Sequence, residues 1–166
     1  PSLSFNRVRN FRSHAYIETI IDKFLNRLPR QYLFSCFVDF KAAFDTVWRP
    51  ALLYKLITCG ISGNFLGIIQ NMYSEVSYSV KTKAGLTQPF HSNVGVKQGC
   101  VLSPGLFNLF IHDLPKIFDK TCCPVELDSY PVNCLPYADD LVILSDSSTG
   151  LQNAIDKLDD YCHKWK

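Results

Sequence analysis

Short apolar runs separated by polar residues predict the main strands of this chain. Residues 32–40 form an almost uninterrupted apolar run ending at Asp39, which is typical of a buried strand. Two further runs, 131–136 and 141–145, flank a polar pair. This pattern predicts a hairpin with the acids of 139–140 at its tip. A weaker alternation over 77–83 predicts another strand, whose expected partner is 88–96 across a turn containing Gly85.

Apolar residues at helical spacing predict five helices. The pair Ser103–Pro104 is a strong helix start, because a hydroxyl cap is followed by proline at the first helical position. Residues 41–49 are expected to form a turn, and the prolines and small polar groups of 119–131 predict a loop. The other helices are expected to span 13–29, to run from Pro50 to Gly60, and to begin at Ser62 and at Ser147 or Ser148. The sum predicts an α+β fold with helices packed on one face of a small antiparallel sheet.

Composition supports one folded domain. The chain has 166 residues, of which 47% are apolar and 19% charged, which excludes a disordered tail. No apolar stretch reaches the ~18 residues of a membrane span, and no signal-peptide pattern begins the sequence. We therefore expect no membrane association. The absence of an initiator methionine suggests a piece of a longer protein.

Charge is distributed unevenly along the chain. Residues 1–30 carry six Arg or Lys against two acids, whereas the remaining residues carry eleven against thirteen. Basic residues at one end and acids at the expected site suit a protein that holds phosphate backbones and positions metal ions. A solvated basic helix face explains the same residues equally well.

Seven cysteines indicate a reduced intracellular protein rather than a disulfide framework. Their number is odd, no C-x-x-C spacing occurs, and several lie inside apolar runs. Cys122, Cys123 and Cys134 form one cluster, but adjacent cysteines without a histidine partner suit tetrahedral zinc poorly.

Three aspartates carry the candidate chemistry. Asp139 and Asp140 repel each other and gain little from a structural role, while Asp39 ends a buried strand. An ionised carboxylate there is costly unless it is paired or bound to metal. Hard cations such as Mg²⁺ choose carboxylate oxygens, and two such ions serve in-line phosphoryl displacement. The structural alternative is a set of surface carboxylates.

Three blocks in order then resemble the reverse transcriptases of non-LTR retrotransposons. The block at 37–45, FVDFKAAFD, resembles the first palm motif, and YADD at 137–140 resembles the YxDD motif. Between them, the block at 95–111 is similar to the QG-x-x-x-SP-x-LF block of non-LTR and group II intron enzymes. The segment 11–15 also resembles the arginine-containing segment that precedes the first palm motif. A four-residue match alone is weak, but the ordered set is specific and covers most of the chain.

The resemblance implies an RNA-directed DNA polymerase with a palm-like sheet, which joins deoxynucleotides to a DNA primer on an RNA template. Asp39 and Asp139 would bridge two Mg²⁺ ions, with Mn²⁺ as an alternative, and Asp140 would support the primer-side ion. Phe40, Phe44, Gln98 and Gly99 would contact the incoming nucleotide, with Phe44 as the steric gate against a 2′-hydroxyl. Tyr137 and Ala138 would face the primer terminus, and Arg12, Lys41 and Lys97 would contact phosphates. Asp45 is assigned to loop structure.

Purely structural roles are the alternative for some of these residues. Phe44 suits an ordinary core, and Gln98–Gly99 suits a plain turn before the next helix. The resemblance divides the chain into a fingers-side helix at 1–30 and a partial palm at 31–166. The N-terminal fingers strands and the thumb are missing, so this piece alone should show little activity.

Two other functions stay open. One is a catalytically inactive retroelement remnant, or a domesticated fold that binds nucleic acid or protein. The other is an RNA-templated RNA polymerase, which Phe44 and the absence of a Gly-Asp-Asp hairpin disfavour. The nucleus is the compartment that the family suggests, whereas the residues do not indicate an oligomeric state.

Overall fold

The computed structural model describes Asp22, residues 32–127 and residues 130–165. These residues belong to two compact units. The sheet unit comprises 32–41 and 113–164, and the helical unit comprises 42–112 with Trp165. The helix predicted over 13–29 and the fingers-side segment 1–30 lie, apart from Asp22, outside the described residues, so both stay predictions.

The described residues form nine strands and five α-helices. In chain order the strands are β1 (Phe34–Asp39), β2 (Ser77–Tyr78), β3 (Lys81–Thr82), β4 (Gly85–Leu86), β5 (Phe90–His91), β6 (Val125–Leu127), β7 (Tyr130–Val132), β8 (Cys134–Tyr137) and β9 (Asp140–Ser145). The helices are α1 (Ala43–Thr46), α2 (Arg49–Thr58), α3 (Gly63–Ser74), α4 (Ser103–Phe110) and α5 (Ser148–Trp165). Two short 3-10 turns lie at Leu114–Ile117 and Lys120–Cys122.

An antiparallel sheet of order β1-β9-β8 organises the sheet unit. The central strand β9 is buried over 141–145, which explains why its sequence is a continuous apolar run rather than an alternating one. On one face, Val142 and Leu144 pack with Val125 to form a hydrophobic cluster. The predicted acidic hairpin and a strand ending at Asp39 are therefore confirmed. The expectation that this strand is buried and central is wrong, because β1 lies at the edge of the described sheet, Val38 is its one buried residue and Asp39 is exposed.

The loop predicted over 119–131 is wrong in part. Strands β6 and β7 pair as a short hairpin within it, with Val125 opposite Val132. Val125 is only 1% exposed because it belongs to the hydrophobic cluster. Burial thus overrides the loop signal of the prolines, one of which lies within β7 of this two-stranded ladder.

Helices α2 and α3 form much of the helical unit, and both agree with the predicted spacing. Helix α2 has a proline in its first turn, as expected. Its Lys55 is 1% exposed and donates to the carbonyl of Phe110 at 2.6 Å, at the C-terminal end of α4. The Lys55 ammonium also lies 4.1 Å from the centroid of the Trp165 ring. This buried cation is therefore satisfied by a carbonyl and an aromatic face.

The predicted pairing of 77–83 with 88–96 is correct in direction but not in detail. Two separate two-residue ladders form, β2 with β5 and β3 with β4. Gly85 lies in β4 opposite Thr82 rather than in the turn. The turn predicted over 41–49 likewise contains the short helix α1.

Serine has different roles at the starts of α4 and α5. The hydroxyl cap predicted at Ser103 is wrong, because Ser103 is the first residue of α4 and its hydroxyl donates to the carbonyl of Lys97 at 2.6 Å. At α5 the prediction is confirmed, since the Ser147 hydroxyl accepts from the amide of Gly150. Helix α4 ends at Phe110, so Leu114 belongs to a 3-10 turn rather than to its apolar stripe. No described helix is both long and apolar enough to span a membrane.

Candidate active site

Strand pairing brings two of the three predicted acids together in the sheet unit. Asp39, the last residue of β1, is the register partner of Asp140, the first residue of β9. Directly opposite residues of an antiparallel pair lie about 4.5–5.5 Å apart at Cα and project from the same face. The apolar runs that fix the register thus place both carboxylates at one end of the sheet.

The third acid lies in the tight connection between β8 and β9. Ala138 and Asp139 form this two-residue connection, and Ala138 has a left-handed backbone with φ of 52°. Such a conformation costs a non-glycine residue roughly 1–2 kcal/mol. The carbonyl of Asp139 accepts from the amide of Phe40 at 3.0 Å. A strained tip is therefore tied to the end of β1, beside Asp39.

The carboxylates at this end of the sheet interact electrostatically. The pKa of Asp140 is raised, first by its partial burial and then by repulsion from Asp139 and Asp39. Within the described residues, none of the three forms an ion pair with a basic side chain. The described part of the chain therefore brings together like charges without an ion-paired basic side chain, which is the environment that a divalent cation neutralises.

The chemistry of these donors fits a hard cation, but the side chains are not gathered into a ligand cluster. In the part of the chain that the structure describes, no three His, Cys, Asp or Glu side chains are placed to hold a metal ion. Direct Mg²⁺ ligation requires oxygens at about 2.0–2.1 Å. The two-ion site at Asp39, Asp139 and Asp140 therefore stays a prediction, supported by adjacency and charge.

Three predicted nucleotide contacts, Phe44, Gln98 and Gly99, lie in the helical unit. The ring of Phe44 stacks on the ring of Phe107, with centroids 4.9 Å apart at 30°. The side-chain amide of Gln98 donates from Nε2 to Oδ1 of Asp45 at 2.8 Å. Asp45, predicted to be a loop residue, thus bonds directly to a predicted nucleotide contact.

Backbone hydrogen bonds join the segments that carry Phe44 and Gln98. The amide of Val96 donates to the carbonyl of Phe44 at 2.7 Å, and that of Gly95 donates to Val47 at 2.8 Å. Gly95 has φ of 83°, and a Cβ there would lie 2.7 Å from the carbonyl oxygen of Asp45. Only glycine allows this close approach.

Arg49 holds the same junction and was missed by sequence reasoning. It is 6% exposed, and its guanidinium donates to three carbonyls of the chain leading to Gln98. The acceptors are Gly95 at 2.9 Å, Val94 at 2.9 Å and Ser92 at 2.5 Å. The local pattern around a single arginine before Pro50 carries no signal for such long-range bonds.

The other predicted site residues have varied surroundings. Phe40 is half-buried and Lys41 is exposed. Tyr137 is 59% exposed at the end of β8. The carbonyl of Lys97 accepts from Ser103, and Gly99 has a positive φ of 77°. Arg12 lies outside the described residues.

An open cavity of about 740 Å³ lies within the helical unit. Asp45, Lys97 and Gln98 line it together with Tyr78 and Phe90. Its mixture of aromatic and hydrogen-bonding groups suits an organic ligand of nucleotide size.

Comparisons with known proteins identify the family of the chain. A family model described as "Reverse transcriptase (RNA-dependent DNA polymerase)" matches residues 3–166. The RNA-directed DNA polymerase from mobile element jockey of Drosophila funebris is 31% identical over 142 residues, covering 82% of this chain and 15% of that protein. The Pol polyprotein from the type-2 retrotransposable element R2DM of Drosophila melanogaster is 30% identical over 146 residues, covering 86% and 14%. The chain thus spans about one seventh of these relatives.

Solved structures show the same fold. Apo telomerase from Candida tropicalis, truncated from its C-terminal domain, superposes with a TM-score of 0.67 at 20% identity, covering 95% of this chain and 33% of that chain. Telomerase from Candida albicans in complex with a TWJ fragment of telomeric RNA gives 0.59 at 17% identity, covering 89% and 28%. At these identities the likeness concerns the fold alone, and it confirms the predicted palm-like α+β architecture.

Proposed function

We propose, from the premise that this chain belongs to the reverse transcriptase (RNA-dependent DNA polymerase) family, that it is the palm of a retrotransposon enzyme that copies RNA into DNA. The observation that carries the proposal is the end of the sheet where Asp39 lies opposite Asp140 and beside Asp139, with no basic partner among the described residues. The telomerase structure solved with an RNA fragment supports an RNA ligand for this fold.

The acids of the sheet unit would hold the metal ions. Bound divalent ions supply positive charge at the primer 3′-hydroxyl and at the triphosphate. Asp39 and Asp139 would provide carboxylate oxygens to the ions, and Asp140 would add a third carboxylate. The pKa of Asp140 is raised by its partial burial and by repulsion from Asp139 and Asp39, and a bound cation would relieve that repulsion.

The helical unit would select and orient the nucleotide. Phe44 excludes a 2′-hydroxyl by overlap, and its stack on Phe107 limits the movement of the ring. Gln98 offers an amide that both donates and accepts hydrogen bonds. Gly99 lets the backbone approach the nucleotide closely. The free cysteines support the proposal of a reducing intracellular compartment.

Extension of a primed RNA template tests the proposal. We would express the residues with the flanking sequence of their natural reading frame and measure deoxynucleotide incorporation with Mg²⁺. Asp139→Asn should reduce incorporation by at least about 10²–10³-fold, the usual cost of losing one charge-stabilising group. Asp146→Asn is the matched control, because Asp146 is an exposed acid directly beyond the other end of β9.

The outcomes separate the candidate functions. An active protein in which Asp139→Asn extends as well as wild type would contradict the proposal. A folded wild-type protein that binds primed RNA without extending it would favour the inactive remnant. Extension with ribonucleotides in place of deoxynucleotides would favour the RNA polymerase alternative.

A further inference from the structure

The side chain of Asp45 forms a hydrogen bond that contributes little to stability. Its carboxylate accepts from the amide of Gln98 across 53 positions of sequence, and both residues are exposed. An exposed hydrogen bond contributes little net stability, because water replaces it at small cost. The main effect of this hydrogen bond is therefore on the orientation of the Gln98 amide.

The backbone under both side chains is held firmly. Val96 donates to the carbonyl of Phe44, the residue before Asp45, at 2.7 Å. The buried guanidinium of Arg49 binds the carbonyl of Gly95 at 2.9 Å, and the Ser103 hydroxyl binds that of Lys97 at 2.6 Å. The backbone of the segment carrying Gln98 is therefore anchored on both sides, and the freedom left is that of the Gln98 side-chain torsions, including the orientation of its amide.

The hydrogen bond to the Asp45 carboxylate limits the orientation of the Gln98 amide. An ionised Asp45 only accepts hydrogen bonds, so the amide of Gln98 must turn its NH₂ group toward it. Oε1 then faces away from Asp45 and is available to a ligand as an acceptor, beside the one N–H of Nε2 that Asp45 does not use. Without Asp45 the amide can rotate and offer either its donor or its acceptor.

We propose that Asp45 is a positioning residue for nucleotide binding, which acts through Gln98 by fixing its carbonyl oxygen as the acceptor for a hydrogen-bond donor of the incoming deoxynucleotide. This inference rests on the proposed function. Both residues line the same cavity, together with Lys97. The orientation of the amide, rather than its presence alone, then determines how well the nucleotide is held.

The direct test is nucleotide affinity without turnover. The protein, in its natural reading frame, is bound to an RNA template whose DNA primer is chain-terminated, and the Kd of the complementary deoxynucleotide is measured with Mg²⁺. Asp45→Leu removes the acceptor at similar volume and should raise the Kd about tenfold. Gln98→Leu should raise it by a similar factor, and the double variant should bind no more weakly than Gln98→Leu alone, because Asp45 acts only through Gln98.

The chain offers a matched control. On helix α5 the amide of Gln152 donates to Oδ1 of Asp156 at 2.7 Å, which is the same bond between exposed groups. Asp156→Leu should leave the Kd within twofold of wild type. The melting temperature of each variant should stay within a few degrees, which separates positioning from loss of fold.

Two results would overturn the inference. One is an unchanged Kd in Asp45→Leu, and the other is an equal loss caused by Asp45→Leu in the wild-type and Gln98→Leu backgrounds. Either result leaves the proposed function standing if Asp139→Asn still abolishes extension. Failure of the wild-type protein to extend, with the nucleotide bound and the coupling intact, would count against the proposed function alone.

Discussion

The two units of this chain differ in how their charged side chains are bonded. In the sheet unit, Asp39, Asp139 and Asp140 share one end of the sheet, and none forms an ion pair with a described basic side chain. In the helical unit, the buried cations Arg49 and Lys55 are bonded to backbone carbonyls. Among the described residues, the acids of the sheet unit have no ion-pair partner, whereas the buried cations of the helical unit bind the backbone and stabilise the fold.

This difference indicates which charged side chains are available to bind a ligand. A buried guanidinium with several carbonyl acceptors is fully used by the protein, so it stabilises loops and offers little to substrate. The pKa of Asp140 is raised by partial burial and by repulsion from Asp139 and Asp39, and none of these acids forms an ion pair with a basic side chain of the described residues. Perturbed acids of that kind mark functional sites more often than structural ones.

The largest effect on stability should come from Arg49. Arg49→Met keeps most of the side-chain volume but leaves the carbonyls of Ser92 and Gly95 without the guanidinium donor, whereas the carbonyl of Val94 keeps the Ser92 hydroxyl at 3.0 Å. A buried acceptor left unsatisfied costs about 1–3 kcal/mol, so we expect a loss of roughly 2–3 kcal/mol in the free energy of unfolding. Urea denaturation measures it.

An exposed cation provides the control for that experiment. Lys83→Met, in the turn between β3 and β4, should change stability by less than about 0.5 kcal/mol. Equal losses for Lys83→Met and Arg49→Met would contradict the division between charges that complete the fold and charges that do not.

A smaller effect of opposite sign is expected at Asp140. Its raised pKa means that the folded state penalises the ionised carboxylate, so stability falls as the pH rises through that pKa. Asp140→Asn removes the penalty and, with EDTA present at neutral pH, should stabilise the protein by about 0.5–1 kcal/mol. Denaturation with EDTA measures the gain, and a clear loss of stability would show that the carboxylate is structural.

The smallest effect should come from an acid that has its own partners. Asp119 accepts from Thr121 and pairs with Lys157 at 2.9 Å, and these bonds lower its pKa to about 2. Its contribution to stability is therefore present above pH ~4 and is lost as the pH falls toward 2. Asp119→Asn should make the melting temperature less sensitive to pH in that window. An unchanged pH dependence would argue against the pairing.

Sequence pattern predicts the sheet unit better than the helical unit. The apolar runs ending at Asp39 and beginning after Asp140 specify β1 and β9, and the polar tip between 136 and 141 specifies the hairpin of β8 with β9. Local periodicity and turn length determine such features. The pairing of β6 with β7 was missed because Pro131 and small polar residues resemble a loop until burial of Val125 is known.

Long-range side-chain bonds could not be predicted. The bond from Gln98 to Asp45 and those from Arg49 join residues 43 to 53 positions apart, and no local pattern encodes them. The Ser103 hydroxyl also differs from its prediction, since its acceptor is the carbonyl of Lys97, 6 residues earlier in the chain, rather than a group of its own helix. The resemblance to reverse transcriptases indicated which residues matter, but not how they hold one another.

The central proposal is that divalent cations neutralise Asp39, Asp139 and Asp140, which form no ion pair with a basic side chain of the described residues. The most direct measurement compares the melting temperature of the wild-type protein and of the Asp39→Asn/Asp139→Asn/Asp140→Asn variant, in EDTA and in Mg²⁺ with nucleotide and chain-terminated primer–template. We expect the variant to be at least as stable as wild type in EDTA, and only the wild type to gain stability from Mg²⁺. An equal Mg²⁺ response in both proteins would contradict the claim.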